Sequence, residues 1–416
     1  MATNLAQYEL ILLGASGHTG KLCAQYIAAK LPADLRWAIA GRDASKLAIL
    51  SECLKARDPA RKPPGVEVIQ LEPGQLHNLA KRTRLLITTI GPYMRYGSLV
   101  VEACAVNGTH YIDCTGETPW VRQMIQSYHD TAKANGAIMI THCGIESVPA
   151  DILTLAMVNH IQQKFSSPTL EVITSIHSIN HELTSGTVAT LLSFAELYTL
   201  NELITSLSPY ALSSRFNISN TISQYAAFFE GLTSIRRVHE LGVLTECIQG
   251  RIDTALVHRS RELLAEELPK SYSSSFRFKE LMRFEDPLLA LLFHWRWKMC
   301  ILLFCFPPFR WIMRHIYCKV PAKLGAPSAK TEYANYHGIA TADTAERQKV
   351  FAVFEWSGSP YLLTALALAE AAMVLLRGNS DRLSKLGGGI LTPACLGQEY
   401  IDRLSNAGVK IEVNSL

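Results

Sequence analysis

At 416 residues the chain is long enough for two domains, or for one large α/β domain with insertions. Hydrophobic residues make up 48% and charged residues 18%, which excludes global disorder and supplies a substantial core. A formal charge of +4 is small for this length and argues against a nucleic-acid partner. The ten cysteines are scattered without a C-x-x-C pair, so neither a zinc knuckle nor a disulfide framework is indicated. Reduced thiols in a cytoplasmic protein are the simplest reading. Met1 to Gln7 carries no basic residue, and the apolar run after it reads as a first strand rather than a secretory signal.

That run, Leu10-Ile11-Leu12-Leu13, ends in Gly14-Ala15-Ser16-Gly17-His18-Thr19-Gly20, with a helical segment following over Lys21 to Lys30. Glycine at every third position between a strand and a helix is the pattern that holds a dinucleotide pyrophosphate. Gly14 permits the sharp turn, Gly17 lets backbone approach phosphate, and Gly20 lets the helix pack close to the strand. The seven residues 14–20 are therefore candidates for binding the cofactor. The second strand, Arg36 to Arg42, ends where dinucleotide-binding units that take NAD carry an acidic residue; here the position holds Gly41-Arg42, followed by Asp43. A guanidinium there suits a 2′-phosphate, which favours NADP(H) and adds Arg42 to the cofactor residues. The alternative leaves Arg42 as a solvated strand-end charge and gives the ribose to Asp43, with Lys46 as a second nearby cation.

Strand-like and helix-like segments then alternate: a helix over Ala44 to Lys55, a strand over Val66 to Leu71, a buried strand over Leu85 to Ile90, and a helix over Ser98 to Asn107. A strand over Thr109 to Asp113, a helix over Thr118 to Asn135 and a strand over Ala137 to Ile140 complete the series. This βαβ alternation implies a Rossmann-type parallel sheet with right-handed crossovers over residues 1–150. From Asp151 the texture changes. A helix over Asp151 to Gln162 leads to a β-branched strand over Leu170 to His177, and a Ser- and Asn-rich stretch from Ser206 to Ser223 reads as a long connection. Residues 151–356 read as a second, mixed α+β sheet domain for substrate or dimerisation, closed by a strand over Lys349 to Trp356. Residues 357–416, with the alanine-rich apolar helix Leu362 to Leu376, read as a segment returning to the first domain.

Pro287 to Tyr317 stands apart. It is rich in leucine and carries three tryptophans, and no Asp or Glu occurs between Asp286 and Glu332 while seven lysines and arginines do. Arg296, Lys298 and Pro307-Pro308 interrupt it as a membrane span. Aromatic plus basic composition fits a helix lying in a membrane interface, which would make the protein peripheral on an intracellular membrane or lipid droplet through residues 287–318. The alternatives are a lid over a greasy substrate and a subunit interface, as in a homodimer.

Polar clusters sit at the predicted carboxyl ends of the parallel strands, where ligands bind in open α/β sheets. Gly91-Pro92-Tyr93 follows the buried strand; Gly91 and Pro92 would shape the nicotinamide-side loop, and Tyr93 would stack or donate a proton, unless the three only build a turn. In Asp113-Cys114-Thr115-Gly116-Glu117, Thr115 is a further cofactor candidate, and Glu117 is either a general acid or the acidic start of the next helix. His142 is a titratable candidate beside a segment, Ser147 to Asp151, that reads well as a helix start. Tyr93, Glu117 and His142 are thus the candidate catalytic residues. His177, His181 and Glu182 lack the further ligand that a metal site needs, and no metal is expected.

Taken together, these motifs resemble the saccharopine dehydrogenase-like oxidoreductases, in particular the branch called trans-acting enoyl reductases. The residues that carry the resemblance are those of 14–20, Ala40-Gly41-Arg42, Gly91-Pro92-Tyr93 with Tyr96-Gly97, His110 to Asp113 with Thr115-Gly116-Glu117, and Cys143 to Asp151. Ser185-Gly186-Thr187 and Gly387 to Ala394 match further on. The resemblance implies a Rossmann domain, a mixed-sheet second domain and a carboxyl-terminal return to the first. It also implies NADP(H) and reduction of a conjugated carbon–carbon double bond in a lipophilic, polyketide- or terpenoid-derived substrate. A double-bond isomerase, a dehydrogenase on the same scaffold, and a non-catalytic nucleotide-bound membrane protein remain as alternatives.

Overall fold

A computed structural model describes residues 6–180, 185–213, 234–304, 306–317, 332–378 and 381–416. The chain divides into two compact units, Met1–Val148 with Tyr361–Gly408, and Pro149–Pro360 with Val409–Leu416. The first contains strands β1 (Tyr8–Leu13), β2 (Trp37–Gly41), β3 (Gly65–Val68), β4 (Thr83–Thr88), β5 (His110–Asp113) and β6 (Ile138–Ile140). The second contains β7 (Thr169–Asn180), β8 (Ile235–Val238), β9 (Gly242–Thr245), β10 (Tyr272–Phe284), β11 (Tyr333–Ala342) and β12 (Lys349–Ser357). Of the last two strands, β13 (Gly389–Leu391) joins the first sheet and β14 (Lys410–Ser415) the second.

The first sheet runs β13-β6-β5-β4-β1-β2-β3, with every pairing parallel. Helices cover both faces of such a sheet, so its inner strands read as continuous apolar runs; Leu10 to Leu13 in β1 are fully buried. The chain runs outward from β1 through β2 to β3, then restarts at β4 on the other side of β1. That reversal is the switch point of the sheet, where a crevice opens at the strands' carboxyl ends.

Within this unit the carboxyl-terminal helix Pro360–Arg377 is tied to the amino-terminal strand by charge. Glu9, at the start of β1 and only 5% exposed, meets Arg377 at 2.9 Å, Arg36 at 3.7 Å and Arg84 at 3.8 Å. Farther along the same helix, Tyr26 donates to Glu370 at 2.8 Å and Arg403 pairs with Glu370 at 3.3 Å.

The second sheet runs β14-β12-β11-β7-β10-β9-β8, antiparallel except for the parallel pairing of β10 with β7. Ile173, Leu241, Leu244, Leu281 and Ile339 form one of its core clusters. The β-branched stretch predicts the strand over 170–177, and it forms as Thr169–Asn180. Residues 214–223 of the expected connection lie outside the described residues. The last strand departs from the expected return of 357–416 to the first unit: β14 pairs antiparallel with β12, from Lys410 opposite Glu355 to Ser415 opposite Val350. Its residues alternate between half-buried and exposed, as an edge strand covered on one face does.

The three arginines on Glu9 are partly exposed, so solvent screens each pair. Glu9→Gln is expected to cost roughly 1–2 kcal/mol. For a unit of this size that lowers Tm by about 2–4 °C per kcal/mol, measurable by calorimetry.

Candidate active site

Register places the loops of the site at one level. Leu13 of β1 lies opposite Ala40 of β2 and Thr88 of β4, and Thr88 lies opposite Asp113 of β5. The chain therefore leaves four adjacent strands along one row, and the segments beginning at Gly14, Gly41, Thr89 and Cys114 converge above it.

The first of these is the glycine loop. Gly14 has a φ of +86°, and its N–H donates to the Ala40 carbonyl at 2.9 Å. A Cβ on Gly20 would stand 2.2 Å from the Gly14 carbonyl oxygen and 2.8 Å from Thr89 Oγ1, so no side chain fits there. Helix His18–Lys30 starts behind Gly17, which is exposed and supplies no capping side chain. The first turn of a helix has N–H groups without intrahelical partners, and with the helix dipole they suit an anion. Thr89, which sequence reading gives no role, donates from Oγ1 toward the Leu13 and Gly14 carbonyls at 3.3 and 3.2 Å. Another such contributor is Tyr361, whose ring meets that of His18 edge-on at 5.0 Å.

At the end of β2 the two candidate ribose residues are separated by their bonding. Asp43 caps helix Ala44–Arg57: it accepts the Lys46 N–H at 3.0 Å and faces Lys46 Nζ at 3.3 Å. The Lys46 backbone N–H, first among its contacts, holds this carboxyl below the usual carboxylate range. Arg42 is exposed beside it. Ser16 of the glycine loop lies against Gly41, its Oγ 3.8 Å from where a Cβ would stand.

Above β4 and β5 the candidate catalytic residues do come together, in a network built around backbone. The Gly91-Pro92 peptide is cis, and the short helix Tyr93–Tyr96 follows. Both oxygens of buried Glu117 are engaged there, accepting the N–H groups of Tyr93 at 2.8 Å and Met94 at 2.6 Å. Tyr93 is buried and donates its hydroxyl to the Thr88 carbonyl at 3.0 Å, with Cys114 Sγ at 3.3 Å. Asp113 is fully buried and accepts from Tyr111 Oη at 2.8 Å, from the Thr115 N–H at 3.0 Å and from the His142 N–H at 3.2 Å. Thr115 accepts the Glu117 N–H at 3.1 Å, which closes the loop upon itself.

These engagements revise what the three expected proton donors do. Burial, then Cys114 and Asp113 nearby, raises the Tyr93 hydroxyl well above its ordinary range, so it holds its proton on the Thr88 carbonyl. Glu117 is pushed up to about 7 by burial, against the pull of its two N–H donors, and serves as a clamp on the turn after Pro92. His142 has a φ of 63° and no exposed surface; burial takes it down to about 3, which leaves a neutral imidazole with Nδ1 at 2.9 Å from Thr141 Oγ1 and Nε2 without a partner.

In the second unit His177 stacks on His337 with ring centroids 3.7 Å apart, and His181 and Glu182 lie outside the described residues. A concavity of about 300 Å³, lined by Gly136, Ile138, Val374 and Gly387 among others, lies at the amino-terminal ends of β6 and β13, the opposite edge of the sheet from the glycine loop.

Burial raises Asp113 to about 7, against the three donors that face it. In the unfolded chain it titrates in the ordinary carboxyl range, so the folded state binds the extra proton between about pH 4 and pH 7. Its contribution to stability is complete below that window and is lost as pH rises through it. Buried His142 acts with the opposite sign at the acid end, so the comparison must be differential. Asp113→Asn keeps an acceptor for the two N–H groups and removes the titration. The Tm of this variant relative to the native chain is expected to rise between pH 5 and pH 8; a constant difference would remove Asp113 as the cause.

Comparison with known proteins agrees with this geometry. Residues 10–140 match the family described as the saccharopine dehydrogenase NADP binding domain. The chain is 29% identical over 435 aligned residues to a protein of Mycobacterium tuberculosis named as a trans-acting enoyl reductase, covering 100% of both chains. It is 29% identical over 428 residues to the trans-acting enoyl reductase of Mycobacterium leprae, again covering 100% of each. Among solved structures, apo saccharopine dehydrogenase (L-Glu forming) from Saccharomyces cerevisiae aligns with 98% of this chain and 100% of its own at a TM-score of 0.53. At 11% identity that likeness speaks to the fold alone. Residues 10–140 are thus similar to the saccharopine dehydrogenase NADP binding domain, the chain is an NADP-dependent oxidoreductase, and along its full length it is similar to the trans-acting enoyl reductases.

Proposed function

We propose that the protein reduces a conjugated carbon–carbon double bond in a lipophilic enoyl or enone substrate, drawing on NADPH in preference to NADH. Polyketide- and terpenoid-derived chains are the substrate class of this reading, an expectation of the sequence resemblance. The observation that carries the nucleotide preference is the division of labour after β2: Asp43 is held as a helix cap while Arg42 stands exposed next to it. A guanidinium fork there would meet a 2′-phosphate, and the carboxylate that would accept ribose hydroxyls is already bonded.

The residues suit the cofactor. Gly14, Gly17 and Gly20 with Ala15, Ser16, His18 and Thr19 would receive the pyrophosphate at the uncapped helix start. Gly91, Pro92 and Thr115 would border the nicotinamide. When bound, the reduced nicotinamide would supply the hydride for the β-carbon of the substrate and be left as NADP⁺, the α-carbon taking its proton from water. Tyr93, Glu117 and His142 act in this reading as positioning residues. Glu117 fixes the turn after Pro92, Tyr93 pins that turn to the end of β4, and the His142 backbone braces Asp113 beneath Thr115.

Two measurements test the proposal. Arg42→Ala is expected to weaken NADPH binding about 10- to 100-fold, as loss of a charge-assisted contact does, and to leave NADH nearly unchanged. An unaltered ratio of the two nucleotides would remove Arg42 from the 2′-phosphate. Absorbance at the reduced-nicotinamide band should fall in step with product from a lipophilic enoyl thioester or enone. Product formed without net nucleotide consumption would mean isomerisation instead, and no turnover on any such substrate would end the reductase reading.

A further inference from the structure

Helix Pro287–Phe304 is apolar around most of its circumference, yet among the described residues only one of its faces is packed against the sheet. Ala290, His294 and Trp297 are buried, with Ile301 following on the same face. This face packs against β8, β9 and β10 of its own unit, and Trp297 Nε1 donates to the Glu246 carbonyl at 3.0 Å. The opposite face repeats at intervals of four and three: Leu288, Leu292, Trp295, Met299 and Leu302 are all exposed, Leu288 by 63%. Helix Pro307–Tyr317, which contacts the first helix, adds exposed Trp311 and Ile312. The other long apolar helix, Pro360–Arg377, shows what the same composition does in a core. It has a mean hydropathy of 1.5 against 1.3 and the same 18 residues, and it is 78% buried against 22%.

We propose that this face of Pro287–Phe304, with Trp311 and Ile312, docks on the surface of a phospholipid membrane rich in anionic lipid. Three observations select that occupant. Between Asp286 and Glu332 the sequence has no acidic residue but has Arg296, Arg310, Arg314, Lys319, Lys323 and Lys330, besides Lys298, which is buried on the packed side. Such a run suits anionic headgroups beside an apolar face. Exposed Trp295 and Trp311 are the residue type that settles at the boundary between headgroup and acyl chain. A second copy of this chain would set the same cation-rich segment against itself across a two-fold axis, with no acidic residue of the segment to answer it. A bilayer span is excluded by the docked face and by exposed Arg296 in mid-helix, so the helix lies in the interface rather than through it.

The test uses the full chain with vesicles of phosphatidylcholine, alone or mixed with phosphatidylserine. The native chain is expected to sediment with the mixed vesicles and to be released by salt. Its tryptophan emission should be quenched by brominated acyl chains, and Trp295→Phe with Trp311→Phe should remove that quenching. Leu292→Glu with Met299→Glu should abolish sedimentation while circular dichroism and Tm stay unchanged, both side chains being exposed. Arg296→Gln should weaken binding about five-fold, as removal of one surface cation does. Failure of the native chain to bind either vesicle would overturn the proposal, as would undiminished binding by the glutamate variant. Concentration-dependent dimerisation abolished by the same two substitutions, without lipid binding, would assign the face to a second copy and overturn it equally.

Discussion

The nucleotide domain depends on how closely its first helix approaches its first strand. A helix start can receive a phosphate only if its opening N–H groups are free and nothing stands between them and the ligand. Both conditions are met by the absence of atoms. Gly17 brings no capping group, and Gly20 sits where a Cβ would be 2.2 Å from the Gly14 carbonyl oxygen. Thr89 then secures the bottom of the loop from the neighbouring strand, reaching the Leu13 and Gly14 carbonyls. Because Leu13, Thr88 and Asp113 share one register row, holding Gly14 also sets the level at which the other two loops begin.

Those loops contain two buried carboxyl groups, and water-poor surroundings make the ionised forms costly. Asp113 and Glu117 persist because each satisfies backbone N–H groups that a tight turn would otherwise leave unpaired. Glu117 accepts from the first two residues of a four-residue helix, and Asp113 accepts from two separate loops. Removing either acid would strand donors in the interior, and a stranded donor costs about 1–3 kcal/mol. A carboxyl group with raised proton affinity in a cleft is a fair sign of a catalytic acid. Here the geometry outweighs that sign for Glu117, since both of its oxygens already face N–H groups.

Legibility from sequence followed the range of the interactions. The glycine loop was readable because its chemistry lies within seven consecutive residues, and helix Ser98–Asn107 ends at Gly108, whose φ of +70° is the left-handed stop that glycine favours. Parallel strands buried on both faces announced themselves as apolar runs. The second sheet was harder. Strand β10 pairs with β7 across about a hundred residues, and the run Ser273-Ser274-Ser275 near its start breaks the apolar pattern. In β11, Gly338 leaves room for the Met157 side chain, whose terminal methyl would come within 2.7 Å of a Cβ there; locally the glycine reads as a strand breaker. Within the site, residue types were legible and their partners were not. Glu117 bonds to residues 24 and 23 positions earlier, and the contest between Arg42 and Asp43 turned on a capping bond to Lys46.

Helices Pro287–Phe304 and Pro360–Arg377 carry the same lesson to the surface. Hydropathy cannot separate them, because it averages over the helix circumference and burial does not. What separates them is the small-residue content of the second, whose alanines let neighbouring elements close around it, against the first, where Leu288, Leu292, Trp295 and Leu302 project from the face opposite the docked one. Leaving that much apolar area in water has a standing cost of about 25 cal/mol per Å². A face that costs this, in a stretch of sequence with cations and no acid, is better explained by a surface it meets than by a core it failed to join.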